Sequence, residues 1–212
     1  MIFESITELG LSGVYAIRFR RHLDKRGYFV ETFRKSQFRV PPLDRHFVGS
    51  EFLQCNESFS LAGTIRGLHF QWNPAMGKLV RTVHGHMVDL VADIRPDSAT
   101  VGKIIAHDMP ESRESLEWIW VPPGFAHGNF FLADTRIEYM CTGEHNPECE
   151  AGISPFAADL DWGACDSAIK DAFEALRRTE LITDKDRQAM SVREWLADSR
   201  TRNFRSREPE PV

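Results

Sequence analysis

From about residue 12 to 142 the chain is a succession of short β-type runs broken by Gly, Pro, Asn and Asp, with no helix-length apolar period between them. Parallel strands need a crossover of a dozen or more residues, usually a helix, so this spacing leaves antiparallel sheets in a sandwich or barrel. The spacing predicts strands over Val14 to Arg20, Tyr28 to Phe33, Phe52 to Glu57, Lys78 to Val83, Lys103 to Asp108, Leu116 to Val121, Asn129 to Leu132 and Ile137 to Cys141. Met87 to Ile94 alternates most clearly: Val88, Leu90, Ala92 and Ile94 share one face, with Asp89 and Asp93 on the other, as expected of a half-buried strand.

After Trp162 the period changes. Ile169, Ala172, Phe173 and Leu176 recur at helical spacing, and Ser191 with Glu194 has the form of a capping box. The expectation is one domain over residues 1–200, with a β core over about 12–162, a helical region over about 163–200 packed on it, and a flexible polar tail over 201–212. A length of 212 residues suits a single all-β unit. Pro41-Pro42-Leu43-Asp44 reads as a surface loop.

The formal charge of -5 comes without a dense Lys/Arg block, which argues against nucleic acid or an acidic membrane as partner. No apolar run reaches the roughly 18 residues of a membrane span, and the N-terminus lacks a signal-peptide pattern, so the expected compartment is the cytoplasm. Cys55, Cys141, Cys149 and Cys165 lack CxxC spacing and are read as reduced thiols.

Chemistry concentrates in Gln54-Cys55-Asn56, Arg66-Gly67-Leu68-His69-Phe70-Gln71 and Gly77-Lys78. Strict alternation would put Arg66 and His69 on opposite faces, and a bulge at Gly67 would break that parity. Taken alone, His69 reads slightly better as a hydrogen-bonded core histidine than as a catalyst. Pro123-Gly124-Phe125-Ala126-His127 resembles the second motif of cupin jelly rolls, yet His69-Phe70-Gln71 stands where metal-binding cupins supply H-x-H. An amide and a protonated lysine are poor metal donors, so no metal is expected. His84-Gly85-His86 is the one true H-x-H and reads as turn histidines.

Together, Asp24-Lys25-Arg26-Gly27-Tyr28-Phe29-Val30-Glu31, Gln54-Cys55-Asn56, Arg66 to Gln71, Lys78-Leu79-Val80, Pro123 to Gly128, Glu138-Tyr139 and Asp184-Lys185-Asp186 resemble the dTDP-4-dehydrorhamnose 3,5-epimerase family, in order from about residue 10 to 190. The resemblance implies a cupin-type jelly roll with a few C-terminal helices. It implies a homodimer without cofactor that inverts C3 and C5 of a nucleotide-linked 4-keto-6-deoxy sugar, as in dTDP-L-rhamnose biosynthesis.

By position, His69 matches the family's general base, Asp186 the carboxylate that orients it, Tyr139 the acid on the opposite sugar face, and Lys78 the cation at the enolate oxygen. Arg26, Glu31, Gln54, Asn56, Arg66, His127, Glu150 and Lys185 match substrate-binding positions, several of them facing the nucleotide diphosphate. The chemistry suits these groups. A C–H beside a ketone ionises to an enolate, so inversion wants a base on one face, a proton donor on the other and a positive charge at O4. An imidazole titrating near about 6.5 accepts a proton close to neutrality. Arginine presents paired N–H groups to phosphate, and Tyr28, Phe29 and Trp72 are candidate platforms for the base.

This chain has His145 where many family members carry a second aromatic hydroxyl, Cys55 where an acid is common, and an extended segment over 163–179. His145 and Cys55 are expected to alter the pocket near the sugar, and the segment the nucleotide end or the dimer. The competing readings are a C3-only epimerase of a related dTDP-, CDP- or GDP-linked sugar, a non-catalytic sugar-nucleotide-binding cupin, and a metal-dependent cupin oxygenase.

Overall fold

A computed structural model describes residues 1–204. Thirteen strands follow one another: β1 (Ile2–Glu8), β2 (Tyr15–Arg20), β3 (His22–Asp24), β4 (Gly27–Phe29), β5 (Gln54–Ser60), β6 (Ile65–Gln71), β7 (Lys78–His84), β8 (His86–Asp93), β9 (Ile104–Pro110), β10 (Ser115–Val121), β11 (Phe125–Phe131), β12 (Thr135–Cys141) and β13 (Glu150–Gly152). Helices α1 (Ser167–Ala175), α2 (Asp184–Arg187) and α3 (Val192–Ala197) follow. One sheet has the order β1-β2-β10-β7-β12-β5 and the other β13-β6-β11-β8-β9, and their named pairings are antiparallel. The chain is thus the expected antiparallel, cupin-like sandwich with C-terminal helices.

Three apolar layers hold it together. Val80, Met87, Val91, Ile119, Phe125 and Ile137 fill the space between the sheets. The outer face of the six-stranded sheet is covered by Phe38, Leu43 and Phe47, and that of the five-stranded sheet by Phe173, Trp195 and Phe204 from the C-terminal region. Burying a side chain of such size contributes about 1.5–3 kcal/mol, so the helices are integral to the sheet they cover. The Ser191–Glu194 capping box forms and starts α3.

Several expectations need correction. β8 is buried on both faces, because the helices cover Val88, Leu90 and Ala92 while the opposite face looks into the sandwich; Asp89 and Asp93 are fully buried. The loop at Pro41 hides a core residue, Leu43. The predicted strand over Tyr28 to Phe33 shrinks to the end of a short hairpin. β1, which lacks clear alternation, went unpredicted. Residues 201–204 are not a loose tail: they complete a 3-10 turn that buries Phe204. Residues 205–212 of the expected tail lie outside the described residues. Among the described residues no helix is long and apolar enough to cross a membrane.

Candidate active site

The site begins with a break in β6. Opposite β11, His69 pairs with His127 and Arg66 with Asn129, so two residues of β6 face one of β11. That bulge falls on Gly67, whose φ is +100°; a Cβ there would stand 2.7 Å from both Gly128 Cα and His127 O. Only glycine accepts that backbone and that contact. The extra residue resets parity. Ile65, Leu68 and Phe70 join the outer core, while Arg66 and His69 both line a cavity of about 670 Å³ between the sheets.

His69 Nε2 lies 2.6 Å from Asp186 Oδ1. Asp186 comes from 117 residues away, on the four-residue helix α2, where the Thr183 side chain caps the Asp186 amide. Its second oxygen accepts the Gly67 N–H at 3.2 Å, so the bulge and the carboxylate hold each other. Burial pushes the Asp186 carboxyl up, but the bonds from His69, Gly67 and Thr183 outweigh it and hold it below the usual carboxylate range. An ionised Asp186 keeps the ring proton on Nε2 and leaves Nδ1 as the basic nitrogen.

Tyr139 and Lys78 stand on the facing wall, on adjacent strands of the six-stranded sheet. Both line the large cavity and a second one of about 270 Å³, and His69 lines both as well. Burial raises the Tyr139 phenol above its ordinary range, with the Cys141 and Glu150 charges adding to it and Arg66 opposing. It therefore remains a proton donor well into alkaline solution. Burial lowers Lys78, against the charges of Cys141, Glu150 and Asp89 that favour its ammonium form.

The other expected residues divide. Arg66 opens into the large cavity, its guanidinium held by Ser60 Oγ at 2.8 Å. His127 and Lys185 line the same cavity. Gln54, Asn56 and Glu150 line the smaller one. Lys185 Nζ meets Glu150 Oε2 at 2.6 Å, tying the rims of the two cavities together. His145 lines the smaller cavity, and its amide donates to Gln54 Oε1 at 2.8 Å.

Arg26 and Glu31 do not join this cleft. Arg26 is held by Asp24 on the exposed β3–β4 hairpin, and Glu31 pairs with the N-terminal amine and Arg34. Tyr28 and Phe29 sit on the hairpin, where Tyr28 packs on Arg21, and Trp72 packs against the helical layer. None of these three aromatics lines the cleft. Cys55 points outward and Cys141 takes the inner position instead. Gln71 spends its side-chain amide on the Pro74 and Glu144 carbonyls and the Asn146 amide, anchoring the loop that carries His145. His84 and His86 flank the turn at Gly85 and pair with Glu111 and Asp108. Among the described residues no cluster of three His, Cys, Asp or Glu side chains could hold a metal ion.

With this geometry in view, similarity to known proteins is decisive. The dTDP-4-dehydrorhamnose 3,5-epimerase family model matches residues 8–194. The chain belongs to this family. Its relatives include the dTDP-4-dehydrorhamnose 3,5-epimerase of Methanothermobacter thermautotrophicus, 36% identical over 87% of this chain and 92% of that protein. Among solved structures, the dTDP-6-deoxy-D-glucose-3,5-epimerase of Legionella pneumophila, in complex with dTDP-4-keto-L-rhamnose, superposes with a TM-score of 0.79 and 26% identity over 97% of this chain and 99% of that one. A 3'-monoepimerase from Streptomyces bikiniensis in complex with dTDP-quinovose gives 0.70 and 25% over 87% and 86%. The protein is an isomerase of the carbohydrate-epimerase type.

Sequence reasoning missed several epimerase residues at the cavity. Asn129, Thr183 and Cys141 line it, and Asp89 lies beneath, accepting from His127 Nε2 at 2.8 Å and Asn129 Nδ2 at 2.9 Å. The available signal was an aspartate inside an apolar strand, which needs a buried partner once the strand has no exposed face. The extended 163–179 segment packs α1 on the sheet and leads into residues 180–183 at the cavity rim.

Proposed function

We propose that this cleft epimerises a dTDP-linked 4-keto-6-deoxy sugar at C3 and C5, with His69 as base, Asp186 as its orienting carboxylate, Tyr139 as acid and Lys78 as the cation at O4. The observation that carries this reading is topological: base and acid stand on opposite sheets with the substrate space between them. His69 removes the proton beside the ketone through Nδ1, and its new charge is balanced by Asp186. Negative charge then grows on O4, where the Lys78 ammonium is already in place. Tyr139 returns a proton from the other face; the phenolate then regains a proton from solvent and the His69 imidazolium releases its own to solvent, which resets both groups for the second carbon. Each such acid or base contributes about 10²- to 10⁴-fold.

Arg66 and Lys185 supply the cations for the diphosphate, the guanidinium by paired N–H groups. The product is the one that leads on to dTDP-L-rhamnose. The unpaired cysteines suit a reducing cytoplasm. We also propose a homodimer. The hairpin leaves Leu23 and Phe29 55% and 70% exposed and holds Arg26 away from its own cleft, as a surface covered by a second copy would; light scattering at the dimer mass supports it, and a monomer at working concentration refutes it.

Incubation with dTDP-4-keto-6-deoxyglucose in deuterated water tests the reaction. Label at both C3 and C5 is expected. Label at C3 alone establishes the monoepimerase reading, which the likeness to the Streptomyces bikiniensis enzyme motivates and for which His145 is the residue to examine. No label with any dTDP-, CDP- or GDP-linked 4-keto sugar would leave a binding protein.

A further inference from the structure

An anomalous group lies just under the proposed cleft. Asp89 is fully buried, in the middle of β8. Its Oδ2 accepts both His127 Nε2 and Asn129 Nδ2, whereas Oδ1 is buried with no hydrogen-bond partner among the described residues. A carboxylate in such a place is costly unless a positive charge compensates it. Asn129, being uncharged, provides none.

The interior of the sandwich shows where that charge is. Met87 and Val91 share the inward face of β8 with Asp89, and Val80 shares the inward face of β7 with Lys78; these three apolar residues form one cluster. Asp89 and Lys78 thus project into the same interlayer. Around Lys78 stand His69 from β6, His127 from β11, Tyr139 and Cys141 from β12, Glu150 from β13 and Arg66 at the cavity wall. Glu180, Lys185 and Asp186 also line the large cavity, and Asp186 is engaged by His69 and Gly67; the carboxylates whose charge favours the Lys78 ammonium are Glu150 and Asp89. Glu150 already has Lys185 at 2.6 Å. Burial raises the Cys141 thiol, so its charge bears on Lys78 only at a pH high enough to ionise it. Asp89 is the carboxylate with charge to spare.

We propose that Asp89, which never touches substrate, is a positioning residue for epimerisation: it fixes His127 with Nδ1 as the nitrogen open to substrate, and it is the counter-charge of Lys78. Both effects serve the same atom. Lys78 must be an ammonium when O4 becomes an oxyanion, and burial alone works against that. With Nε2–H committed to Asp89, His127 Nδ1 accepts a hydrogen bond from a sugar hydroxyl, which sets the ring in register with Lys78. This inference rests on the epimerase reading above.

The test compares the wild-type protein with Asp89→Asn and with the charge swap Asp89→Asn/Asn129→Asp, which returns a carboxylate to the neighbouring, directly paired position on β11. For Asp89→Asn we expect kcat to fall about 10- to 100-fold, less than the about 10²- to 10³-fold typical of losing an oxyanion donor itself, with KM changed less than threefold. The alkaline limb of the kcat/KM profile should move to lower pH and return toward its wild-type position in the swap. A limb that stays in place in a folded Asp89→Asn, with a kcat loss that merely tracks thermal stability, overturns the proposal. If Asp89→Asn does not fold, ¹³C-lysine NMR of the wild-type protein decides, with Lys78 assigned through Lys78→Gln: an ammonium throughout the neutral range is expected, and a neutral amine at pH 7 overturns it. Wild-type protein that exchanges no solvent deuterium would sink the epimerase reading. The Lys78 titration in Asp89→Asn then tests the counter-charge by itself, with a shift to lower pH expected and no shift overturning it.

Discussion

Two histidine–aspartate pairs face this cavity, and they are built in opposite ways. His69–Asp186 joins a strand to a helix across 117 residues, with His69 27% exposed and both carboxylate oxygens engaged. His127–Asp89 joins neighbouring strands of one sheet across 38 residues, with the histidine 8% exposed, the aspartate sealed and one oxygen idle. An accessible, fully bonded pair can change protonation during a reaction. A sealed pair acts through the geometry that it imposes on the strands around it. The difference explains why the fold uses the same two residue types twice.

The sharpest way to break the comparison is to remove each histidine. His69→Ala should lose about 10³- to 10⁴-fold in kcat, read as solvent deuterium uptake, as expected of a general base. His127→Asn should lose less than 10²-fold and mainly raise KM. Equal losses would mean that both act as bases. Next in size, Asp186→Asn should lower kcat about 10²-fold with KM little changed, because it frees the ring orientation without removing a substrate contact.

Gly67→Ala tests the structural link between the pairs, since the new Cβ would press on Gly128 and on the His127 carbonyl. It should cost about 2–3 kcal/mol in denaturant unfolding and impair both pairs at once. The pairs should also differ in acid. Asp186 has a folded pKa below its unfolded value of about 3.9, so its stabilisation is complete above that value and is lost as pH falls through the folded pKa. Asp186→Asn should therefore flatten the acid side of the stability profile. The smallest effect belongs to the rim: Glu150→Gln, whose partner Lys185 is largely exposed, should alter stability by less than about 0.5 kcal/mol and raise KM several-fold.

Much of this was legible in the residues. The local cluster of polar residues among glycines singled out His69 without choosing between a core and a catalytic histidine, and only the family resemblance joined Asp186 to it. The bulge at Gly67 was likewise readable as a glycine inside a strand. Arg26 and the aromatics of the hairpin have equally distinctive words, yet they stand apart from the cleft of their own chain, because nothing within a few residues says which way a hairpin folds.

The sequence by itself determined the antiparallel β class, most of the longer strands, the helical C-terminal region and the residue types the reaction requires, since strand and helix periods are set by neighbouring residues. Only the tertiary structure decided that β8 has no exposed face, that Asp186 returns to His69, that Cys141 and not Cys55 looks inward, and that Asp89 lies sealed beneath His127. Those facts depend on which surfaces are covered by segments a hundred residues away, and no local period records that.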